Sequence, residues 1–242
     1  MTQQTSKTNQ GDRAEQTRRA ILEAAIQEFS AHGLSGARTE AIAGAAGANK
    51  ALLYYYFKSK KGLYEAAIEE VSGKVVANAL AALDPSYCAG ERLLRTALNH
   101  FDRILTQREF QSLMQQEMVR FHRDESGSIP LFQNAFRPLM EKLQEAVNEG
   151  IQTGELCRMD SLQVMYSIFG ANVFYFLSAP MIQLALPFKP FAPEALSARR
   201  IAAVEFLGNA LFTNRAHGSA VASRVLREMP MPDVKDFQFR RK

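Results

Sequence analysis

The stretch from Thr39 to Lys61 constrains the fold of this 242-residue chain more than any other. From Ile42 onward, apolar residues at i, i+1 and i+4 form one face of a short helix. Gly47 follows, and a helix that must stop and turn sharply favours glycine, which adopts positive φ without a Cβ clash. A second helix is predicted over Lys50–Phe57. Two short helices joined by such a turn indicate a helix-turn-helix.

Both short helices have candidate capping residues. Thr39 is predicted to cap the first helix and Asn49 the second, because each offers a side-chain oxygen to an unpaired backbone N–H. On the second helix, Leu53 and Phe57 are spaced i and i+4, which predicts that they face the core.

The second helix and its C-terminal corner are dense in tyrosine and lysine. Three consecutive tyrosines begin at Tyr54, and neighbouring helical residues point about 100° apart, so at least one ring must face outward. The lysines in the same segment are Lys50, Lys58, Lys60 and Lys61. Both residue types are typical donors to phosphate oxygens. This density favours DNA binding over the alternative, an amphipathic helix with a solvated basic end.

Residues 17–68 resemble the DNA-binding domain of TetR-family transcriptional regulators. The family signature L-Y-x-Y-F-x-[ST/N]-K is present from Leu53 to Lys60. The resemblance implies a cytoplasmic homodimer that binds a palindromic operator in double-stranded DNA. It further implies a ligand-responsive repressor that its effector releases from DNA. The methionine-rich middle of the chain predicts that this effector is a small hydrophobic or aromatic molecule. Carried over by position, the family's DNA contacts fall on Thr39, Glu40, Lys50, Ala51, Leu52, Tyr54, Tyr56 and Lys60.

These implied contacts divide by chemistry. Thr39, Tyr54, Tyr56 and Lys60 are of the types that position a protein on phosphates, whereas Lys50 can donate to guanine O6 and N7. Many family members have glycine and threonine where this chain has Ala51 and Leu52, so Leu52 either packs against a base or shifts that contact. Glu40 either reads cytosine N4 or stays in solvent.

The charge distribution fits a polyanionic partner for the amino-terminal part. The net charge is +4 over residues 1–62, −4 over residues 63–214 and +4 over residues 215–242. Positive charge therefore coincides with the predicted helix-turn-helix. The first residues are polar and lack the apolar segment of a signal peptide.

Helical periodicity continues through the rest of the chain, which predicts an all-α fold. The predicted architecture is a three-helix helix-turn-helix domain followed by a helical ligand-binding and dimerisation domain. Further helices are expected at about 62–83, 90–106, 108–124, 129–152, 159–185 and 194–214. The expected domain boundaries are a disordered arm over 1–12, the DNA-binding domain over 13–62, the second domain over 63–214 and a basic extension over 215–242. That extension either packs on the domain or is loose.

Residues 161–188 contain no charged side chain. Their length allows a transmembrane segment, but glutamine, asparagine and proline interrupt them. A helix that is apolar on every side needs burial on every side. We therefore expect no membrane span but a second copy of the chain, packed through about 159–185 and 194–214. In the resembled family the last two long helices form such a bundle.

The middle of the chain is rich in methionine and phenylalanine, as expected for a core, a dimer interface or an apolar pocket with a few polar groups. Its candidate pocket residues are His100, Phe101, Met118, His122, Phe136, Met140, Met165, Phe169 and Asn172. We find no HExxH, GxGxxG or P-loop pattern, and no metal spacing around the two cysteines. The sequence thus predicts no enzyme, catalytic residue, metal ligand or cofactor. A ligand-independent nucleoid or division factor, and an all-α enzyme, remain the alternatives.

Overall fold

The computed structural model describes residues 4–123 and 129–233, and its regular elements there are all α-helices. The all-α prediction is therefore confirmed. The helices are α1 Gln4–Gly36, α2 Thr39–Ala45, α3 Lys50–Phe57, α4 Lys60–Ala81, α5 Ala89–Thr106, α6 Arg108–Phe121, α7 Ile129–Gln152, α8 Ser161–Ala185, α9 Pro193–Leu211 and α10 Arg215–Glu228. Most predicted helices lie within a few residues of these bounds, since glycine, proline and capping residues mark their ends.

The first helix differs from the prediction at its start. The sequence predicts a disordered arm over residues 1–12, whereas the structure describes α1 from Gln4 onward; residues 1–3 lie outside the described part. Extending an existing helix costs far less than nucleating one, so a polar segment can join the helix that follows it. Near its other end, α1 is broken at Gly33, which has φ 68°.

The chain divides into two compact units. The first unit comprises Met1–Val75 and Arg108–Ala135. In it α6 packs on α1, where the Ser112 hydroxyl donates to the Ser30 carbonyl at 2.6 Å. The periodicity of α6 predicts a helix within residues 63–214, but periodicity does not identify the surface against which a helix packs. That surface is α1, so α6 groups with the helix-turn-helix.

The core of the first unit fixes the helix-turn-helix in place. Fully buried side chains from α1, α2, α3, α4 and α6 meet there, among them Phe29, Ile42, Leu53, Leu63 and Leu113. Burial of a side chain of this size contributes about 1.5–3 kcal/mol. The two short helices are therefore held by α1, α4 and α6 rather than by their own helical propensity.

The second unit comprises Val76–Gln107 and Phe136–Lys242. Phe101, Phe176 and Leu196 form part of its core, drawn from α5, α8 and α9. A buried ion pair links α9 to α5, with the Arg200 guanidinium donating to both carboxylate oxygens of Asp102 at 2.7 and 2.8 Å.

The basic extension contains α10, which packs on α9 and α5 with Val221 and Val225 buried. Two glycines allow α9 and α10 to approach closely, since a Cβ on Gly218 would lie 2.0 Å from the Gly208 carbonyl oxygen. Of the two outcomes left open by the sequence, packing is the observed one for α10. Residues 234–242 lie outside the described part.

Candidate nucleic-acid interface and effector cluster

The turn of the helix-turn-helix has the geometry that its sequence predicts. Gly47 adopts φ 62° between α2 and α3. The Asn49 side chain accepts a hydrogen bond from the Leu52 backbone N–H at 2.9 Å, which caps α3. The amino end of the recognition helix is thus fixed by local chemistry that can be read from the sequence.

The cap predicted for α2 is wrong. Arg38, not Thr39, is the N-cap residue, and it makes no side-chain cap hydrogen bond. Its backbone N–H instead donates to the Glu28 carboxylate of α1 at 3.0 Å. Thr39 is buried as the first residue of α2, and its hydroxyl donates to Glu40 at 3.3 Å. This contact ties the start of α2 to α1, but it pairs the N–H of the N-cap residue itself and not the first-turn N–H groups that a capping oxygen would accept from.

The outer side of α3 presents side chains suited to DNA. Leu53 and Phe57 are buried, whereas Lys50, Ala51 and Leu52 are exposed beside them. Tyr54 is 38% exposed on the same helix. The helix is therefore anchored along one side and free along the other, as a recognition helix must be to enter a major groove.

Lys50 and Glu40 form an ion pair across the turn. Their Nζ and Oε1 atoms are 2.5 Å apart, and both side chains are largely exposed. The pairing raises the pKa of Lys50 and lowers that of Glu40, in each case mainly through their hydrogen bond. The Lys50 ammonium also lies 5.9 Å from the centre of the Tyr54 ring. Glu40 therefore holds Lys50 on the exposed side of α3.

Two further predicted contact residues are only partly exposed. The Tyr56 ring is half-buried and packs against the core of the first unit. Lys60 is also half-buried, and its ammonium donates to the Ser35 carbonyl at 3.2 Å. Both side chains are thus engaged within the protein, unlike Lys50 and Tyr54, which stand on the exposed surface.

Tyr55 is an exposed residue of α3 that is not among the DNA contacts predicted from the sequence. It is 68% exposed, the largest exposed fraction among the three tyrosines. Lys58 ends α3 with φ 66°, which is unusual for a residue with a side chain. Its ammonium donates to the Tyr55 carbonyl at 2.9 Å and lies 5.5 Å from the ring centre. The 100° step between tyrosines predicts an outward ring but not which one.

In the second unit, α5 and α8 bring several candidate pocket residues together. The His100 ring meets the Phe169 ring edge-on at 4.8 Å. The Asn172 amide donates to the Ala97 carbonyl at 2.9 Å and lies 3.3 Å from Nδ1 of His100. Burial, helped by the nearby Arg103 guanidinium, lowers the pKa of His100 to about 3, so the imidazole is neutral at pH 7. We call these three residues, His100, Phe169 and Asn172, the α5–α8 cluster.

The remaining pocket candidates have different surroundings. Phe101 and Met165 are buried in α5 and α8, while Phe136 and Met140 are half-buried on α7. Met118 lies in α6 and His122 directly follows that helix, both in the first unit, where both side chains are exposed. The structure therefore does not bring those two into the α5–α8 cluster. The sequence could not reveal this, because α6 has the same periodicity as its neighbours.

A stripe of exposed apolar side chains runs along α8. Its members are three, four or eight residues apart, which places them on one side of the helix. They are Tyr166, Phe174, Leu177, Met181 and Leu184. On α9, Phe206 is also 69% exposed. By length and composition alone, α8 also passes as a membrane span, with a mean hydropathy of 1.4.

Comparison with known families gives two matches along the chain. Residues 21–67 match the model for bacterial regulatory proteins of the tetR family, and residues 91–207 match the model for the tetracyclin repressor-like C-terminal domain. Over 56 residues the chain is 45% identical to the HTH-type transcriptional repressor SCO4008 of Streptomyces coelicolor. That match covers 23% of this chain and 29% of the repressor. The chain thus spans less than a third of the length of such curated relatives.

Solved structures are similar over nearly the whole chain. A gamma-butyrolactone receptor, an ArpA-like protein, has a TM-score of 0.66 at 18% identity and covers 90% of this chain and 100% of its own. The regulator FadR from Bacillus subtilis, in complex with stearoyl-CoA, has a TM-score of 0.60 at 21% identity. It covers 78% of this chain and 97% of its own. At these identities the similarity establishes the fold.

Proposed function

The chain belongs to the TetR family of bacterial regulatory proteins, and on that premise we propose that it is a homodimeric repressor released from a palindromic operator by a small hydrophobic effector. The observation that carries this proposal is the outer side of α3. There Lys50 and Tyr54 are exposed on a helix whose opposite side is buried in the core. That arrangement supports insertion of α3 into a major groove.

The contact roles follow from chemistry and exposure. Lys50 can donate to guanine O6 and N7 once it exchanges Glu40 for the base, and Tyr54 can donate to a phosphate. Leu52, exposed on the same side, can meet a thymine methyl group. Glu40 carries negative charge toward the phosphates, so it favours binding only where its pairing with Lys50 directs that lysine to the correct base. Half-buried Tyr56 and Lys60 are assigned to phosphate contacts at the edge of the interface.

Selection of bound sequences from a random duplex pool tests DNA recognition, and native mass measurement of the complex gives its stoichiometry. We expect an enriched palindrome bound by an even number of chains. On that operator, Lys50→Ala should cost about 1–3 kcal/mol and relax preference at one base pair. Tyr54→Ala should weaken binding to all DNA sequences to the same extent.

The matched control is Lys74→Ala, because Lys74 also forms an exposed ion pair, with Glu70 on α4. This variant should bind like the wild type. The assignment of α3 as the reading helix is refuted if Lys50→Ala and Tyr54→Ala both retain wild-type operator affinity at matched salt.

The stripe on α8 and the neighbouring exposed residues of α9 support dimerisation through about 159–185 and 194–214. A second copy would cover apolar side chains that are otherwise in water, and a twofold pair places two α3 helices for two half-sites. Phe174→Asp and Phe206→Asp should yield monomers in analytical ultracentrifugation. Phe121→Asp, at an exposed phenylalanine of α6, should leave the dimer intact. A wild-type monomer in detergent-free buffer would refute this interface.

The α5–α8 cluster supports an effector site with apolar walls and few polar groups. Neutral His100 and Asn172 supply those polar groups, and Phe169 supplies an aromatic wall. The similar FadR was crystallised with stearoyl-CoA, which makes acyl compounds a rational part of a screen. An effector shifts the population away from the DNA-binding state only by its differential affinity for the two states.

The screen measures release of the selected operator by a panel of hydrophobic and aromatic compounds. A true effector should lose potency in Phe169→Ala without a change in the effector-free operator affinity. If no compound weakens operator binding, the ligand-independent DNA-binding alternative replaces the effector part of the proposal.

A further inference from the structure

Three potential metal ligands that are distant in sequence meet in the second unit. Ligand atoms of Cys88, Glu155 and His217 all lie within 4.8 Å of one another. Nε2 of His217 is 4.0 Å from Oε1 of Glu155. No local sequence pattern predicts this cluster, because each member comes from a different segment of the chain.

The backbone fixes two of the three residues through regular contacts. Cys88 is the N-cap residue of α5, and its carbonyl accepts from the Arg92 N–H at 3.1 Å. Glu155 follows α7 in a short antiparallel bridge with the segment between α9 and α10. In that bridge the Thr213 N–H donates to the Glu155 carbonyl at 3.0 Å. The bridge brings the segment leading into α10 alongside Glu155.

His217 is held in the first turn of α10. Its backbone N–H donates to the Asn214 side chain at 3.1 Å, and its ring packs edge-on against Phe212 at 5.6 Å. Gly90 leaves space for this arrangement, since a Cβ there would lie 2.2 Å from the Phe212 ring and 3.0 Å from Oε1 of Glu155. The histidine side chain is therefore oriented by its neighbours before any ligand binds.

One carboxylate oxygen of Glu155 lacks a hydrogen-bond partner, although the Cys88 thiol interacts with the same carboxylate group. Its Oε1 atom is buried, and within residues 4–123 and 129–233 no group makes a hydrogen bond to it. A buried acceptor without a partner is costly and needs an explanation such as a bound ion. Cys88 and His217 are exposed, so a cation has a route from solvent to the buried oxygen.

We propose that Cys88, Glu155 and His217 form a binding site for a zinc-type divalent cation. Thiolate, imidazole and carboxylate are the three ligand types of protein zinc sites, at bond lengths of about 2.0–2.3 Å. At tetrahedral angles these bonds separate ligand atoms by about 3.3–3.8 Å. Side-chain rotations that move the ligand atoms by roughly 1 Å would bring the observed separations into this range. Three protein ligands leave the fourth position to water, and the sulfur selects against Mg²⁺ and Ca²⁺.

Binding displaces the thiol proton. The species that binds a metal ion is the thiolate and not the thiol. One S–H bond breaks, one sulfur–metal bond forms, and the proton goes to the buffer.

Titration of Co²⁺ into the untagged, metal-free full-length chain under reducing conditions tests the site. We expect one ion per chain, the strong visible bands of tetrahedral Co²⁺, a near-ultraviolet thiolate band and displacement by Zn²⁺. Cys88→Ser should abolish the thiolate band. Glu155→Gln and His217→Asn should each weaken binding by at least about a hundredfold, because even outer-shell partners contribute 10–100-fold.

Cys157→Ser is the matched control, because Cys157 is the other free cysteine in the chain. This variant should keep the full spectrum and affinity. The proposal is overturned if wild-type protein gives no tetrahedral spectrum, if the thiolate band depends on Cys157, or if the Glu155 and His217 variants bind like the wild type. His217 is exposed, so His217→Asn remains informative even if Cys88→Ser folds poorly. The test is independent of DNA binding.

Discussion

Removing the hydroxyl of Tyr64 tests the packing that joins α6 to the helix-turn-helix unit. Tyr64 in α4 is 2% exposed, and its hydroxyl donates to Oε1 of Glu117 in α6 at 2.8 Å. Tyr64→Phe keeps the ring and its edge contact with Phe29 at 5.0 Å. The variant therefore creates almost no cavity, and its cost is that of one hydrogen bond to a buried carboxylate.

Such bonds to charged groups contribute about 1.5–3 kcal/mol. The lower part of that range applies, because Glu117 keeps the Arg120 guanidinium at 3.0 Å when the hydroxyl is lost. We expect Tyr64→Phe to lower the free energy of unfolding by about 1.5–2 kcal/mol in urea titrations. Tyr55→Phe is the matched control: its ring is 68% exposed, and it should change that free energy by less than about 0.5 kcal/mol.

The Tyr64 hydroxyl also makes the stability of the fold depend on pH. Burial, and then the hydrogen bond to Glu117, raise the pKa of Tyr64 above its ordinary value. A raised pKa means that the stabilisation is complete below the unfolded-state value of about 10 and is lost as the pH rises beyond it. Wild-type protein should thus lose more stability than Tyr64→Phe above about pH 10. An equal loss, or an unfolding free energy of the variant within 0.5 kcal/mol of wild type, would refute the buried bond.

Four further perturbations follow from local geometry and burial. Asn49→Ala removes the cap of α3 and should cost about 0.5–2 kcal/mol in thermal unfolding while also weakening operator binding. Gly218→Ala forces a Cβ against a carbonyl of α9 and should cost about 1–3 kcal/mol in urea titrations. Gly73→Ala, where a Cβ meets nothing within 4 Å, should instead stabilise by about 0.5–1 kcal/mol. Because the pKa of His100 is lowered to about 3, its neutral form stabilises the fold above about pH 6.5. Between pH 6.5 and 5, wild type should lose more stability than His100→Gln, as measured by thermal melts.

The local features of the DNA-binding unit could be predicted because their causes lie within a few residues. Gly47 and Asn49 act on the turn and the cap directly beside them, and both behave as the sequence predicts. The failure at Thr39 has the opposite cause. There Arg38, not Thr39, is the N-cap residue, and its own backbone N–H is paired with Glu28 on a different helix. Sequence spacing carries no information about that contact.

Contacts between distant segments explain the other differences. Helix α10 packs because two glycines, Gly208 and Gly218, allow close approach, but composition marks its segment only as basic. Likewise, the spacing of Cys88 predicts no metal site, since its neighbours Glu155 and His217 arrive through the bridge that follows α7. Sequence patterns identify the helices well because helix formation depends on nearby residues. Which helices and side chains contact one another is instead determined by tertiary packing.

The exposed side chains of α8 distinguish between two interpretations that hydropathy alone cannot separate. Its charge-free sequence fits either a membrane span or a protein interface. In the structure Asn172 is buried and hydrogen-bonded to α5, so one side is already packed inside the second unit. On the outside, the apolar stripe is accompanied by exposed Gln163, Ser167 and Gln183. Lipid would surround a spanning helix and leave the side-chain amides of Gln163 and Gln183 without hydrogen-bond partners. An apolar strip with polar residues at its edge is instead typical of a protein interface, so α8 is better suited to a protein partner than to a bilayer.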